Sequence, residues 1–388
     1  MIKNIIIIVI NALCLAAFIV CLSLSVSIKT PLRSQQAATA WAGQSGERFA
    51  QLSVFFPESS GFNEEGIFGF RRSLDLNLLT ASLESTTDRK LYTDAWSAET
   101  EVSLLSERGS ATVKAIAVGG DFFLFHPLHL RDGNYLSPDD VMKDRILLDE
   151  ELAWRLFGAT QIAGFDVLIN NKPFMIAGVI ARENDFASTK AYTASLISRE
   201  SDIGSSITST SGAGLFMSYD ALKDMTEDET SISTYEIVLP DPITGFALKT
   251  LKDSMSEPGI HIVENSARFS FDNSFALIGS FGERSMRLEA IAYPYWENAA
   301  RYVEEYLALL LVFALLFILF PVVCAVVYSI IIIRFLIRRG KLTVTRFINK
   351  KDKRKYDKYL QEHGEEPQIY SADEIIREFR EEVYEESG

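Results

Sequence analysis

The chain is poor in the residues that carry chemistry in groups. Its 388 residues include only four histidines and three cysteines. Cys14, Cys21 and Cys324 all lie in uncharged apolar runs, where a thiol behaves as a small buried hydrophobe. The long polar stretch between those runs has no cysteine. It cannot be a disulfide scaffold and must fold on its own hydrophobic core, which a stretch of this length can supply. There is no G-x-x-x-x-G-K-[ST], so any ATPase acting with this chain is another polypeptide. There is no G-x-S-x-G, the signature of a serine-hydrolase elbow. Only His126 and His129 stand close together, across Pro127-Leu128. A metal site would want further ligands, and none accompanies them, so a strand start is the better reading. His261 stands alone on an apolar stretch. No catalytic residue, cofactor site or metal ligand is nominated, and the chain is read as a non-enzyme.

Charge is missing altogether from Ile5–Ile28 and from Tyr306–Ile333. Each run exceeds the roughly 20 residues that cross a hydrocarbon core. They are read as two membrane spans, 5–28 and 305–333. The first has a rival reading as a cleaved signal peptide, with Ala38-Thr39-Ala40 as a cleavage site. Signal h-regions are usually about 7–15 residues, and the longer run favours an uncleaved anchor. Arg334, Arg338 and Arg339 follow the second span, and basic flanks stay on the cytoplasmic side, whereas Glu304-Glu305 precede the same span and belong outside. A multi-pass protein of the cytoplasmic membrane follows: N-terminus 1–4 and tail 334–388 inside, domain 29–304 outside. Arg334–Lys358 holds eleven basic and two acidic residues, whereas Glu362–Gly388 holds ten acidic and two basic. With the whole chain at −14, the outer domain is strongly acidic and a poor partner for nucleic acid.

Periodicity fills in the outer domain. Lys29–Gly46 reads as a stalk that Pro31 interrupts. Strands are expected at Phe49–Phe56, near Leu91–Ala98 and near Ala111–Val118. Between the first two, Ile67, Phe70, Leu74, Leu78 and Ala81 recur at helical spacing over Glu64–Leu83. Ala187–Gly214 reads as loop, its Ser/Thr-rich part the most mobile. A strand at Leu215–Met217, a helix at Tyr219–Met225 and a strand at Tyr235–Leu239 follow. Asp241-Pro242 is an N-cap with proline in the first helical position, opening a helix with Leu248, Leu251 and Met255 on one face.

Val118–Ile180 is the most informative stretch. Asp132-Gly133 signals a turn, and Ser137-Pro138-Asp139-Asp140 a loop with helix-start chemistry. From Asp149, Leu152, Leu156 and Phe157 share a helical face, and Gly158 suits the end of that helix. Phe165, Val167 and Ile169 alternate as a strand, Asn170-Asn171 turns, and Phe174 and Ile176 return, with Pro173 at the strand's edge or start.

These residues carry a resemblance. Phe122-Phe123, Leu128-x-Leu130-x-x-Gly133, Leu147-x-x-Glu150-Glu151-Leu152-Ala153-x-x-Leu156-Phe157-Gly158 and the hairpin Val167-Leu168-Ile169-Asn170-Asn171-Lys172-Pro173-Phe174 through Gly178-Val179-Ile180 resemble the MacB-like periplasmic core domain of FtsX-like and MacB-like ABC transporter permeases. The resemblance implies an α+β extracytoplasmic domain, with β-α-β lobes and an inserted smaller α/β lobe, carried between two transmembrane helices. It also implies a full-length permease of that family and a separate ABC ATPase as partners, beside the lipid bilayer and an extracytoplasmic partner. The output would be export or mechanical transmission. The family's permeases have four spans, and this chain shows two. A sensor or adaptor that binds a ligand or an envelope protein without an ABC partner is the alternative. Fold-level likeness does not itself fix function.

Interfacial residues are also expected. Tyr293, Tyr295 and Trp296 precede the second span as an aromatic belt would. Arg334, Arg338 and Arg339 would sit at the inner headgroups, holding anionic lipid or only fixing the topology. Pro321 should kink the second span. Ser371-Ala372-Asp373-Glu374 is a capping box, opening an acidic helix with Ile375, Phe379 and Val383 in one stripe. That helix either docks on a cytoplasmic protein or lies exposed.

Overall fold

A computed structural model describes residues 2–84, 90–191, 214–226, 230–255, 257–279 and 291–363. The proposed docking stripe Ile375, Phe379 and Val383, its capping box and the Ser/Thr-rich run near 204–212 lie outside the described residues. The chain divides into two compact units, Met1–Phe317 and Ile318–Gly388. The first holds helix α1 (Ile2–Lys29) and the whole α/β domain. In the second, the described residues continue a helix, α9 (Tyr295–His363), in which Arg334, Arg338 and Arg339 are exposed. Two helices, over Asn4–Lys29 and Tyr295–Lys355, are long and apolar enough to cross a membrane.

Among the described residues, the domain is built on one mixed sheet of ten strands. In chain order they are β1 (Phe49–Phe55), β2 (Thr93–Ser106), β3 (Gly109–Gly120), β4 (Leu130–Gly133), β5 (Arg145–Asp149), β6 (Asp166–Ile169), β7 (Lys172–Ile180), β8 (Leu215–Ser218), β9 (Thr234–Pro240) and β10 (His261–Glu264). The spatial order is β10-β1-β9-β2-β3-β8-β5-β7-β4, with β6 pairing to β2 and β7. The inserted segment therefore supplies β4–β8 at one end of a shared sheet, not a separate layer.

Strand period two divides the interior. In β3, Ala115 and Ala117 join the core under α3 (Glu64–Thr80), α5 (Glu150–Phe157) and the helices Tyr219–Thr226 and Phe246–Ser254, where Leu74, Leu156, Leu222 and Leu251 are buried. Ile116 and Val118 point the other way. They meet Ala37 and Ala38 of α2 (Ala37–Ala42), Phe122 and Phe125 of α4 (Phe122–Phe125), and Trp296 of α9. A third cluster joins Leu32, Ala299, Ala300, Val303 and Leu307, with Ile28 and Phe269 packed against it.

Local signals worked where they were self-contained. Asp149 caps α5 by accepting from the Glu151 amide, and Gly158 ends it in the left-handed region at φ 72°. Asn170 and Asn171 take positive φ in the β6–β7 turn, and Pro173 lies at the start of β7. Phe165 falls just outside β6.

Where long-range packing intervenes, the outcome differs. β2 continues past Ala98 to Ser106, paired with β3 along the whole hairpin, and Glu99 makes an ion pair with Lys114 across it. Asp132-Gly133 is not a turn: both residues pair with β7 beside a bulge. A Cβ at Gly133 would lie 2.1 Å from the Ala177 carbonyl oxygen. Ser137-Pro138 opens no helix, because Asp140 takes the Ser137 amide into a local turn. The helix after Asp241 starts at Phe246, four residues late, since Gly245 adopts φ 85°. Gly245, not Asp241, is therefore the N-cap, and Asp241 reaches the helix start from outside it, accepting from the Ala247 amide at 3.1 Å. Residues 186–191 are helical rather than loop. Lys29–Gly46 is no free stalk: the Gln51 amide accepts from Ala37 N–H and donates to the Ser34 carbonyl, fastening the segment beneath the sheet.

Candidate functional site

The feature that stands out chemically is a buried ionic seam where α9 meets the sheet. Along α9, Glu297, Arg301 and Glu304 fall at i, i+4 and i+7, on one helical face. All three are buried, with Ala300 between them giving the chain room to approach. Opposite lies Arg268, one residue past the turn Asn265–Ala267, its side chain 0 % exposed.

Arg268 grips Glu297 with both terminal nitrogens, at 2.6 and 2.7 Å. Its Nε lies 2.9 Å from Glu304 Oε1. Arg301 Nε donates to Glu297 at 2.8 Å, and its guanidinium stacks 3.6 Å over the Tyr293 ring. The two buried cations Arg268 and Arg301 thus face the two buried carboxylates Glu297 and Glu304. Burial alone would lower the Arg268 pKa, but the two carboxylates more than offset it and hold the group firmly charged. Burial would raise Glu297, yet Arg268 first and Arg301 next pull it below the ordinary 4.5.

The seam reaches both apolar helices and the sheet. Gln35, just after α1, accepts from Asn265 at 3.0 Å and from Arg268 at 3.4 Å. On the other side Asn265 and Glu236 both lie 3.1 Å from the Ser53 hydroxyl, which joins the turn to β1 and β9. Glu236 then pairs with buried His126. The His126 ring lies 4.4 Å from both Phe122 and Trp296, so the network returns to α9.

His126 is therefore not a strand residue. It ends α4 and serves as the carboxylate's partner, whereas His129 is exposed and the two histidines do not converge. His261 packs against Phe55 and Tyr293. Among the described residues no cluster of metal-ligating side chains occurs. Tyr293, Tyr295 and Trp296 are all buried in the domain rather than presented to lipid, because the helix leading to the span docks on the sheet first. A second ionic group, on the other side of β2, has Arg71 bidentate to Asp94 at 2.7 Å, with Tyr235 donating to the same carboxylate.

Sequence reasoning had Glu304 only as an outer flank and missed Arg268, Glu297, Arg301, Gln35 and Asn265. The available signal was the i, i+4, i+7 charge pattern immediately before an uncharged span. The arrangement holds no reacting centre; what it can do is bind elements together rigidly and directionally.

The model of the MacB-like periplasmic core domain matches residues 5–242. No curated protein matches. Among solved structures, the periplasmic region of MacB from Actinobacillus actinomycetemcomitans is similar at 18% identity, with a TM-score of 0.36, over 56% of this chain and 89% of that one. The extracellular domain of the noncanonic ABC-type transporter YknZ from Gram-positive bacteria is similar at 12% identity, with a TM-score of 0.34, over 55% of this chain and all of that one. The matched residues include Gln35, Ser53, His126 and Glu236 and stop short of Arg268 and α9. The chain belongs to the MacB-like periplasmic core domain family, the extracytoplasmic domain of ABC-transporter-type permeases.

Proposed function

We propose that this chain is a non-enzymatic membrane subunit of a MacB/FtsX-type assembly. Its outer domain would be moved by a separate ABC ATPase acting through the spans, together with a full-length permease of the family. Residues 1–4 and 334–388 would be cytoplasmic and 29–304 extracytoplasmic. The observation that carries the reading is Arg268. It holds two carboxylates of α9 and the Gln35 amide that follows α1. Displacement of either helix would be delivered to β1 and β9 through groups that cannot slip without exposing buried charge.

Purification from native membranes under mild detergent tests this. An ATPase recovered in stoichiometric amount supports it. Recovery of the chain with envelope proteins and no ATPase favours the sensor or adaptor instead. In a reconstituted complex, Arg268→Lys, which keeps the charge but not the two-nitrogen grip on Glu297, should leave assembly intact and lower the output obtained per ATP hydrolysed.

A further inference from the structure

Helix α8 (Phe271–Gly279) follows the Arg268 turn directly. It is fixed on one side, where the Asn273 side chain donates to the Arg268 carbonyl at 3.1 Å and Ser274 is buried. On the other side Phe271 and Phe275, at i and i+4, are 62% and 57% exposed, with ring centroids 6.2 Å apart. Asp272 is the helix's only charged residue. Two large exposed rings on one face of a short helix mark a contact surface.

Its surroundings identify the occupant. Phe269, two residues before Phe271, packs in the cluster that contains Ile28 and Leu307. Ile28 ends the first uncharged run and Leu307 stands at the start of the second. Tyr306, the first residue of the second run, meets Phe186 at 5.0 Å, edge to face, and Phe186 is itself 47% exposed. The exposed rings therefore continue the surface from which both apolar helices emerge. A bilayer crossed by those helices ends beside them, and aromatic rings are stable at that depth.

We propose that α8 is an interfacial helix, with Phe271 and Phe275 inserted at the outer membrane surface and Phe186 completing an aromatic collar around the two spans. The partner is the lipid bilayer itself. The collar takes the place of Tyr293, Tyr295 and Trp296, which are committed to the domain core. It would also seat the Arg268 turn against the membrane plane, so that α8 resists when α9 moves.

The full chain in phosphatidylcholine/phosphatidylglycerol nanodiscs, with acyl chains brominated or not, provides the test. Phe275→Trp and Phe271→Trp each add one tryptophan at an exposed position, and the emission of the parent's four tryptophans is subtracted. Phe68→Trp, at a 62% exposed position on α3, is the control. Unchanged thermal unfolding certifies each variant. The added signal at 271 and 275 should be blue-shifted and quenched by brominated lipid, and that at 68 should not. Absence of quenching at both α8 positions, or equal quenching at position 68, overturns the proposal.

Discussion

Arg268→Ala gives the sharpest test of the ionic seam. The side chain is 0 % exposed, and the two carboxylates it holds are 1 % and 4 % exposed. Removing it leaves Glu297 with Arg301 and deprives Glu304 of the guanidinium 2.9 Å away. Breaking a buried pair from one side costs about 3–5 kcal/mol, because the remaining charge is stranded out of water. Whole domains are stable by about 5–15 kcal/mol, so about a fifth or more of the total is at stake. At about 2–4 °C per kcal/mol for a domain of this size, the midpoint should fall by about 6–20 °C. Thermal unfolding in detergent, followed by tryptophan emission, reads this out, since Trp296 lies within the same network. Arg268→Lys keeps the charge but cannot grip Glu297 with two nitrogens, and should recover only part of the loss. A loss below about 1 kcal/mol for Arg268→Ala is what an exposed pair gives, and would refute the buried clamp.

The remaining predictions concern pH, two other positions and the topology. The Glu297 pKa is lowered on folding, so its contribution is complete above the ordinary 4.5 and lost as pH falls through the folded value; midpoints measured across the acid range should drop there, and Glu297→Gln should flatten that limb. Tyr235→Phe removes a buried hydrogen bond to the Asp94 carboxylate and should cost about 1.5–3 kcal/mol in denaturant unfolding; no loss would place the hydroxyl elsewhere. Gly133→Ala combines a positive φ with a carbonyl 2.1 Å from the new Cβ, and should lose about 1–3 kcal/mol or more. Cysteines introduced at Ser209 and Ser387 should react with an impermeant thiol reagent in intact cells only at 209; labelling at 387 would invert the proposed topology.

Much of the fold could be read from the chain because its signals are local. Helix α3 shows a plain 3–4 periodicity, α5 has a cap at each end, and the Asn170-Asn171 turn sits between alternating strands. These features are decided within a few residues. The misreadings occur where a distant partner chooses. The strand expected to end near Ala98 runs on to Ser106 with β3 paired along it, and Asp132-Gly133 looks like a turn until β7 lies against it. The same holds for Lys29–Gly46, whose Ser, Gln and Ala composition suggests a solvated stalk. Gln35 and Gln51 instead satisfy buried backbone and side-chain groups, which composition cannot reveal.

The seam was hidden for a related reason. A charged residue before a membrane span is ordinarily a topology flank, and Glu304-Glu305 fits that description by sequence alone. What separates Glu304 from an ordinary flank is its partner, Arg268, which precedes it by 36 residues and lies outside the helix. The aromatics misled in the same manner: Trp296 has the composition and position of a belt residue, but its ring is occupied by His126 and Phe122. Both errors come from treating the outer end of α9 as the start of the membrane. Over Tyr295–Glu304 this helix packs into the domain, and the uncharged run long and apolar enough to cross a membrane begins only after it. The first three turns of this helix are thus a core element, buried at Glu297, Arg301 and Glu304.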